Sequence, residues 1–145
     1  MRILVLAFLC LLSGMAVAQV DTLNTPEDVR LVSEQIVKHF VAEEFSEGMD
    51  LVKNNWIFTG TNLDDTQSTI ESQWVTISQQ FGAPLGYELI YENMLGTSLV
   101  RLVYLHKFEK HFIYWSFTFY KPDDVWVMDA FNFKDDVDKL FTLVK

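Results

Sequence analysis

Apolar positions recur along this chain with two different periods, helical before about residue 82 and stranded after it. Val29, Val32, Ile36, Phe40 and Val41 fall at helical spacing. Ahead of them, Thr25-Pro26-Glu27-Asp28 supplies an N-cap, a proline at the first helical position and an acidic first turn. A helix from about Pro26 to Phe45 is expected, with Gly48 ending or breaking it and Met49 to Trp56 forming a short second helix. A third helix begins near Asp65 or Thr66. Its stripe is Ile70, Trp74, Ile77 and Phe81, spaced for one helical face, and Gly82 and Pro84 stop it. Such a stripe predicts core packing.

From Leu85 onward the pattern becomes long runs rich in β-branched and aromatic residues. Tyr87 to Leu95, Thr97 to Phe108, Phe112 to Lys121 and Val125 to Phe133 each have the length of a long strand. Gly96, Glu109-Lys110 and Pro122-Asp123-Asp124 separate them, and links this short imply an antiparallel meander. The tail from Asp135 to Lys145 reads as a short helix or a last extended piece.

Aromatic residues are densest in HFIYWSFTFYKPDDVWVMDAFNF, where rings at both odd and even positions imply burial on both faces of a strand. If Glu109-Lys110 is a two-residue turn, Tyr104 lies opposite Trp115 and Leu102 opposite Phe117. One face then carries Val100, Leu102, Tyr104, His106, Ile113, Trp115, Phe117 and Phe119, and is the better candidate for the interior. Leu99, Arg101, Val103, Tyr114, Ser116, Thr118 and Tyr120 form the other, more polar face, to be solvated or set against a partner. The register of the last strand is open, because Pro122-Asp123-Asp124 can close a two-residue or a bulged three-residue turn.

Arg2, the apolar run Ile3 to Leu12 and the small-x-small sequence Ala16-Val17-Ala18 together read as a signal peptide, residues 1–18. The protein is therefore expected to be exported, periplasmic or secreted, with residues 19–145 as one domain. Cys10 is the sole cysteine and falls inside the apolar run, so the mature chain is expected to hold its fold without disulfides. No Asn-x-Ser/Thr acceptor is present, which fits a bacterial periplasm. The chain has 11 basic and 20 acidic residues, a formal net charge of −9. Such a surface repels phosphate backbones and anionic lipids, so neither nucleic acid nor a membrane is an expected partner after cleavage.

Three helices followed by a four-stranded antiparallel sheet, with the local sequences WVTISQQFG (Trp74 to Gly82), the Gly96 turn with Arg101 and Val103 after it, and YWSFTFYKPDDVWVMDAFNF, resemble the nuclear transport factor 2-like superfamily. The likeness covers nearly the whole mature chain, and the last of these pieces resembles small exported members of unknown function. It implies an α+β fold in which N-terminal helices pack on a curved four-stranded antiparallel sheet to form a cone-shaped pocket. Leu102, Tyr104, Trp115, Phe117 and Phe119, with Arg101, would then be ligand-binding candidates. The superfamily hosts enzymes, binding modules and transport factors alike, so activity does not follow from it.

Asp129, alone among apolar neighbours, is the residue with most chemical interest. Facing the cone, its pKa would rise and it could serve as a general acid or base with Tyr104, as ketosteroid isomerase uses an aspartate in an apolar site. Facing solvent or paired with Arg101, it would be structural. His106 and His111 could share a face, with Glu109 as a third metal ligand, but two histidines beside a hairpin tip are expected to be exposed and no metal is assigned. His39, among Lys38, Glu43 and Glu44, reads as surface. No Gly-rich phosphate loop appears, Ser98 and Ser116 lack a nucleophile elbow, and no cofactor is called for. The reading is a non-catalytic module that takes a small hydrophobic ligand or a protein partner, with a homodimer through the sheet as a further possibility. The alternative is a cofactor-independent proton-transfer enzyme of isomerase or dehydratase type.

Overall fold

Thr25 caps the first helix in the way its sequence predicts. Its Oγ1 accepts the Asp28 amide at 3.1 Å while the Asp28 carboxylate accepts the Thr25 amide at 2.8 Å. These bonds hold the Asp28 carboxyl below the usual carboxylate range. The computed structural model of the chain describes residues 22–145, so the expected signal peptide lies outside the described residues.

The elements in order are α1 (Pro26–Val41), α2 (Phe45–Asn55), α3 (Leu63–Phe81), β1 (Pro84–Leu95), β2 (Leu99–Phe108), β3 (Phe112–Tyr120), β4 (Val127–Lys134) and α4 (Val137–Leu143). The fold is α+β, with α1 to α3 packed on a curved antiparallel sheet of order β1-β2-β3-β4. The first helix is shorter than expected. Glu43 takes the left-handed conformation (φ 62°), and the Glu43 and Glu44 amides donate back to the carbonyls of Phe40 and His39. This is a Schellman closure, with His39 Nδ1 and Glu44 Oε2 2.7 Å apart across it.

Gly48 neither ends nor breaks a helix; it lies buried inside α2. Its missing side chain leaves room for the Phe40 ring, which would stand 2.5 Å from a Cβ placed there. The third helix starts at Leu63, two residues early, because the Asn62 side chain caps it by accepting the Asp64 amide.

The β2–β3 register is the one the two-residue turn implies, with Tyr104 opposite Trp115 and Leu102 opposite Phe117. Val100, Leu102, Tyr104, His106, Ile113, Trp115, Phe117 and Phe119 are all buried, and apart from His106 they join Val29, Ile36, Phe40, Ile70 and Trp74 in the main hydrophobic core. The opposite face is not simply solvated. The C-terminal helix α4 lies on it, packing Leu140 against Val103 and Tyr114 in a second, smaller cluster. That helix occupies the middle of the face through which a sheet-mediated homodimer would form. Register shifts in β1 near Gly86 and Ile90, and in β4 at Asp129, are bulges of the kind that bend strands and give a sheet its curl. Part of the outer edge of β4 is covered: Trp126 N donates to Leu23 O at 2.8 Å and Ile57 N to Met128 O at 2.9 Å.

His106 corrects an expectation. It is fully buried rather than exposed, stacked on Phe108 with ring centroids 4.3 Å apart. Cross-strand parity explains this, since His106 shares the concave face with Tyr104 and Phe108 even though it stands near the hairpin tip. Burial pushes its pKa down to about 4, from 6.5 when free.

Two outcomes follow from this packing. Gly48→Ala, normally favourable in a helix, is expected to destabilise the fold by about 1–2 kcal/mol in urea denaturation, because overpacking against Phe40 outweighs the helix gain. On acidification the unfolded chain takes up a proton at His106 before the folded chain does. The stability held by the neutral imidazole is therefore complete above pH 6.5 and lost as pH falls from 6.5 towards 4, to a maximum of roughly 3 kcal/mol. His106→Phe should remove this component, so that the wild type and the variant diverge between pH 7 and pH 4; parallel stability curves would contradict it.

Candidate functional site

The ligand candidates drawn from the concave face are placed where expected, but as core. Leu102, Trp115, Phe117 and Phe119 have no exposed surface, and Tyr104 has 2%. Trp115 alone lies against Phe40 (4.5 Å between centroids), Phe133 (5.2 Å) and Phe131 (6.0 Å). A ligand there would have to displace rings already packed on one another. The Tyr104 hydroxyl donates to the Arg30 carbonyl at 3.4 Å, beside the Arg30–Glu92 ion pair and the Glu34 carboxylate that accepts from Tyr87 at 2.7 Å. Burial pushes the Tyr104 pKa up, with the Glu34 charge adding to it, so the hydroxyl stays protonated.

Asp129 is the extra residue of the β4 bulge, since Ala130 opposes Thr118 and Met128 opposes Phe119. It is partly exposed. Arg101 does not pair with it; Arg101 Nε donates to Thr118 Oγ1 at 3.3 Å on the outer face. Tyr104 lies level with Trp115 and Phe133, two strands across and four residues along from Asp129, so the two are roughly 15 Å apart by strand geometry. The structure does not bring this pair together. His111, unlike His106, is exposed and meets Phe81 edge-on at 4.6 Å. Among the described residues no three His, Cys, Asp or Glu side chains are grouped to hold a metal.

A different constellation emerges where α3 stands off the sheet. Gln73, Thr76, Ile77, Gln80 and Phe81 of α3 face Ile113 and Phe133 across a cleft of about 460 Å³, with Lys134 and Asp135 at its rim. The floor is apolar and the helix side is edged by amides. Next to that floor, though not lining the cleft, Trp74, His106 and Trp115 stand with ring centroids 5.6, 6.3 and 6.5 Å apart. Ile113 is the ladder partner of His106, and Phe133 that of Trp115. Neither indole Nε1 nor either imidazole nitrogen of this trio has a hydrogen-bond partner among the described residues.

Unpartnered buried polar atoms are unusual in native proteins and mark strain, function or an occupant that satisfies them. Here two indole N–H donors and an imidazole, which when neutral offers one donor and one acceptor, lie close together in the core, as the indole nitrogens of Trp56 and Trp126 do elsewhere. The cleft itself, with its apolar floor and the Gln73 and Gln80 amides on the helix side, suits a ligand with an apolar body and a carbonyl or hydroxyl. Sequence parity identified Trp115 and His106 as interior, but not the cleft. Its walls come from the flank of α3 beside the Ile70–Trp74–Ile77 stripe, where Gln73 and Gln80 read as ordinary surface residues.

No family profile matches the chain, and no curated protein matches it. Among solved structures it is similar to a domain from Thiobacillus denitrificans assigned as a calcium/calmodulin-dependent protein kinase type II association domain. The two are 12% identical with a TM-score of 0.44, over 79% of this chain and 98% of that one, a loose likeness from which no function follows.

Proposed function

We propose that the protein is an exported, non-catalytic binding module of the nuclear transport factor 2-like type. It takes a small apolar ligand bearing one hydrogen-bonding group, or an equivalent partner side chain, in the cleft between α3 and the ends of β3 and β4. The observation that carries this reading is the cleft itself, about 460 Å³ with an apolar floor of Ile113 and Phe133 and the amides of Gln73 and Gln80 along its helix side. Element order and the antiparallel meander support the superfamily assignment. The amino-terminal charge and apolar pattern supports export. The separation of Asp129 from Tyr104 gives no support to a paired acid and base.

Filling the cleft tests the reading. The neutral apolar dye Nile red should bind the purified protein and perturb tryptophan emission from Trp74 and Trp115. Ile77→Trp, which fills the cleft from α3, should weaken that binding by about tenfold, equivalent to the loss of one well-buried apolar contact, while leaving the thermal midpoint within a few degrees. Undiminished binding in the variant would count against the cleft as the site.

A further inference from the structure

The outer face of the sheet carries further hollows, whose lining shares only Lys134 with the concave cleft. Where the C-terminal half of α4 crosses the strands it leaves two adjoining hollows, of about 500 and 330 Å³, that share Arg101, Thr142 and Leu143. They form one trough, and its two ends differ in chemistry. At one end Arg101, Lys134 and Lys139 line the wall with Ser116 and Asn132, and no carboxylate is among the lining residues. At the other end Leu95 and Leu99 line the wall together with Tyr91, Asn93, Thr118 and the C-terminal Lys145.

Three cations without an acid on the same wall stand out in a chain of net charge −9 with only 11 basic residues. Neither Arg101 nor Lys134 has an ion-pair partner among the described residues. Arg101 meets only the Thr118 hydroxyl, and Lys139 leans 3.3 Å from Asp136 Oδ2, a carboxylate beside the trough. Ser116 is 7% exposed and lines the cationic end, where its hydroxyl is open to water. The ladder places these groups together: Arg101 opposes Thr118, Ser116 opposes Asn132, and Tyr114 opposes Lys134. At the far end Leu95, Leu99 and Tyr120 make a cross-strand row, with Leu95 64% and Leu99 38% exposed. From the Tyr114 level to the Tyr120 level the trough runs roughly 20 Å along the strands.

We infer that this trough binds a single-chain amphiphilic carboxylate of the medium-chain fatty acid class. The carboxylate is held by Arg101 and Lys139 with the Ser116 hydroxyl donating to it, and the alkyl chain runs past the C-terminal end of α4 over Leu99 and Leu95. A guanidinium fork matches a carboxylate in two-point geometry, and the Ser116 hydroxyl at the wall supplies a further donor. The apolar row gives the chain a surface that is otherwise left in water. The two hollows fall within the size range of small-molecule sites.

Calorimetric titration with decanoate below its micelle concentration tests this, with acetate as head alone and decanol as tail alone. Decanoate should bind saturably, one per chain, and more tightly than either control by about tenfold or more. Arg101→Gln and Lys139→Gln, both at exposed side chains and so expected to fold, should each weaken decanoate by about tenfold, the loss of one charge-assisted contact. Ile77→Trp, in the other cleft, should leave decanoate binding unchanged. The proposal is overturned by no saturable binding, by decanol or acetate binding as tightly as decanoate, or by equal decanoate affinity in wild type and Arg101→Gln. Loss of binding in Ile77→Trp would move the ligand to the α3 cleft and overturn it equally.

Discussion

Trp115 is where the two layers of this protein are joined, and most other features follow from how its ring is enclosed. It projects from the middle of β3 onto Phe40 of α1 and Trp74 of α3, and is flanked on the sheet by Phe131 and Phe133. Fully burying a large apolar side chain contributes about 1.5–3 kcal/mol. A core of this kind, with Phe40, Phe117, Phe119 and Tyr104 around it, accounts for a fold with no cysteine among its described residues. Phe40 can reach Trp115 only because α2 presents Gly48 beneath it. The Schellman turn at Glu43 sets the angle at which α2 leaves α1.

So full an interior moves binding to the seams. A sheet with both faces buried at β3 needs cover on both sides, and helices of finite length cannot cover all of it. On the concave side α3 stands away from the ends of β3 and β4, leaving Ile113 and Phe133 as the floor of an open cleft. On the convex side α4 is only seven residues long and covers Val103 and Tyr114, while Leu95 and Leu99 remain open beyond its end. Both candidate sites are thus places where a helix stops short of the strands below it.

What was legible in the sequence is what depends on period and on local turn chemistry. The capping run at Thr25 placed the start of α1, and the two-residue turn at Glu109-Lys110 fixed every cross-strand pair from Leu102 to Trp115, and with them the inner face. Where tertiary contact decides, the pattern was silent or misleading. Gly48 resembles a helix stop, but the Phe40 ring it accommodates comes from another helix. His106 falls on the inner face by parity yet resembles a hairpin-tip surface residue, and the Phe108 and Trp74 rings packed on it make it core. The fate of Asp129 turned on one bulge, which no single-residue propensity specifies. The clefts were illegible for the same reason, because each is made by residues of separate elements whose own sequences read as ordinary surface.

The bulge at Asp129 also connects the fold to the distribution of polar groups. By adding one residue to β4, it lets Met128 face Phe119 in the core while Ala130 and Asn132 oppose Thr118 and Ser116 on the outer face. Without that extra residue, every side chain of β4 beyond the bulge would move to the opposite face. Phe131 and Phe133 would leave Trp115, and Asn132 and Lys134 would turn towards the core. The cationic end of the convex trough and the aromatic floor of the concave cleft therefore depend on the same irregularity. An aspartate suits that position because it tolerates the broken ladder and stays in contact with water, whereas an apolar residue there would extend the core pattern into the wrong register. The most chemically suggestive residue in the sequence is, on this account, the one that keeps both faces of the last strand in phase.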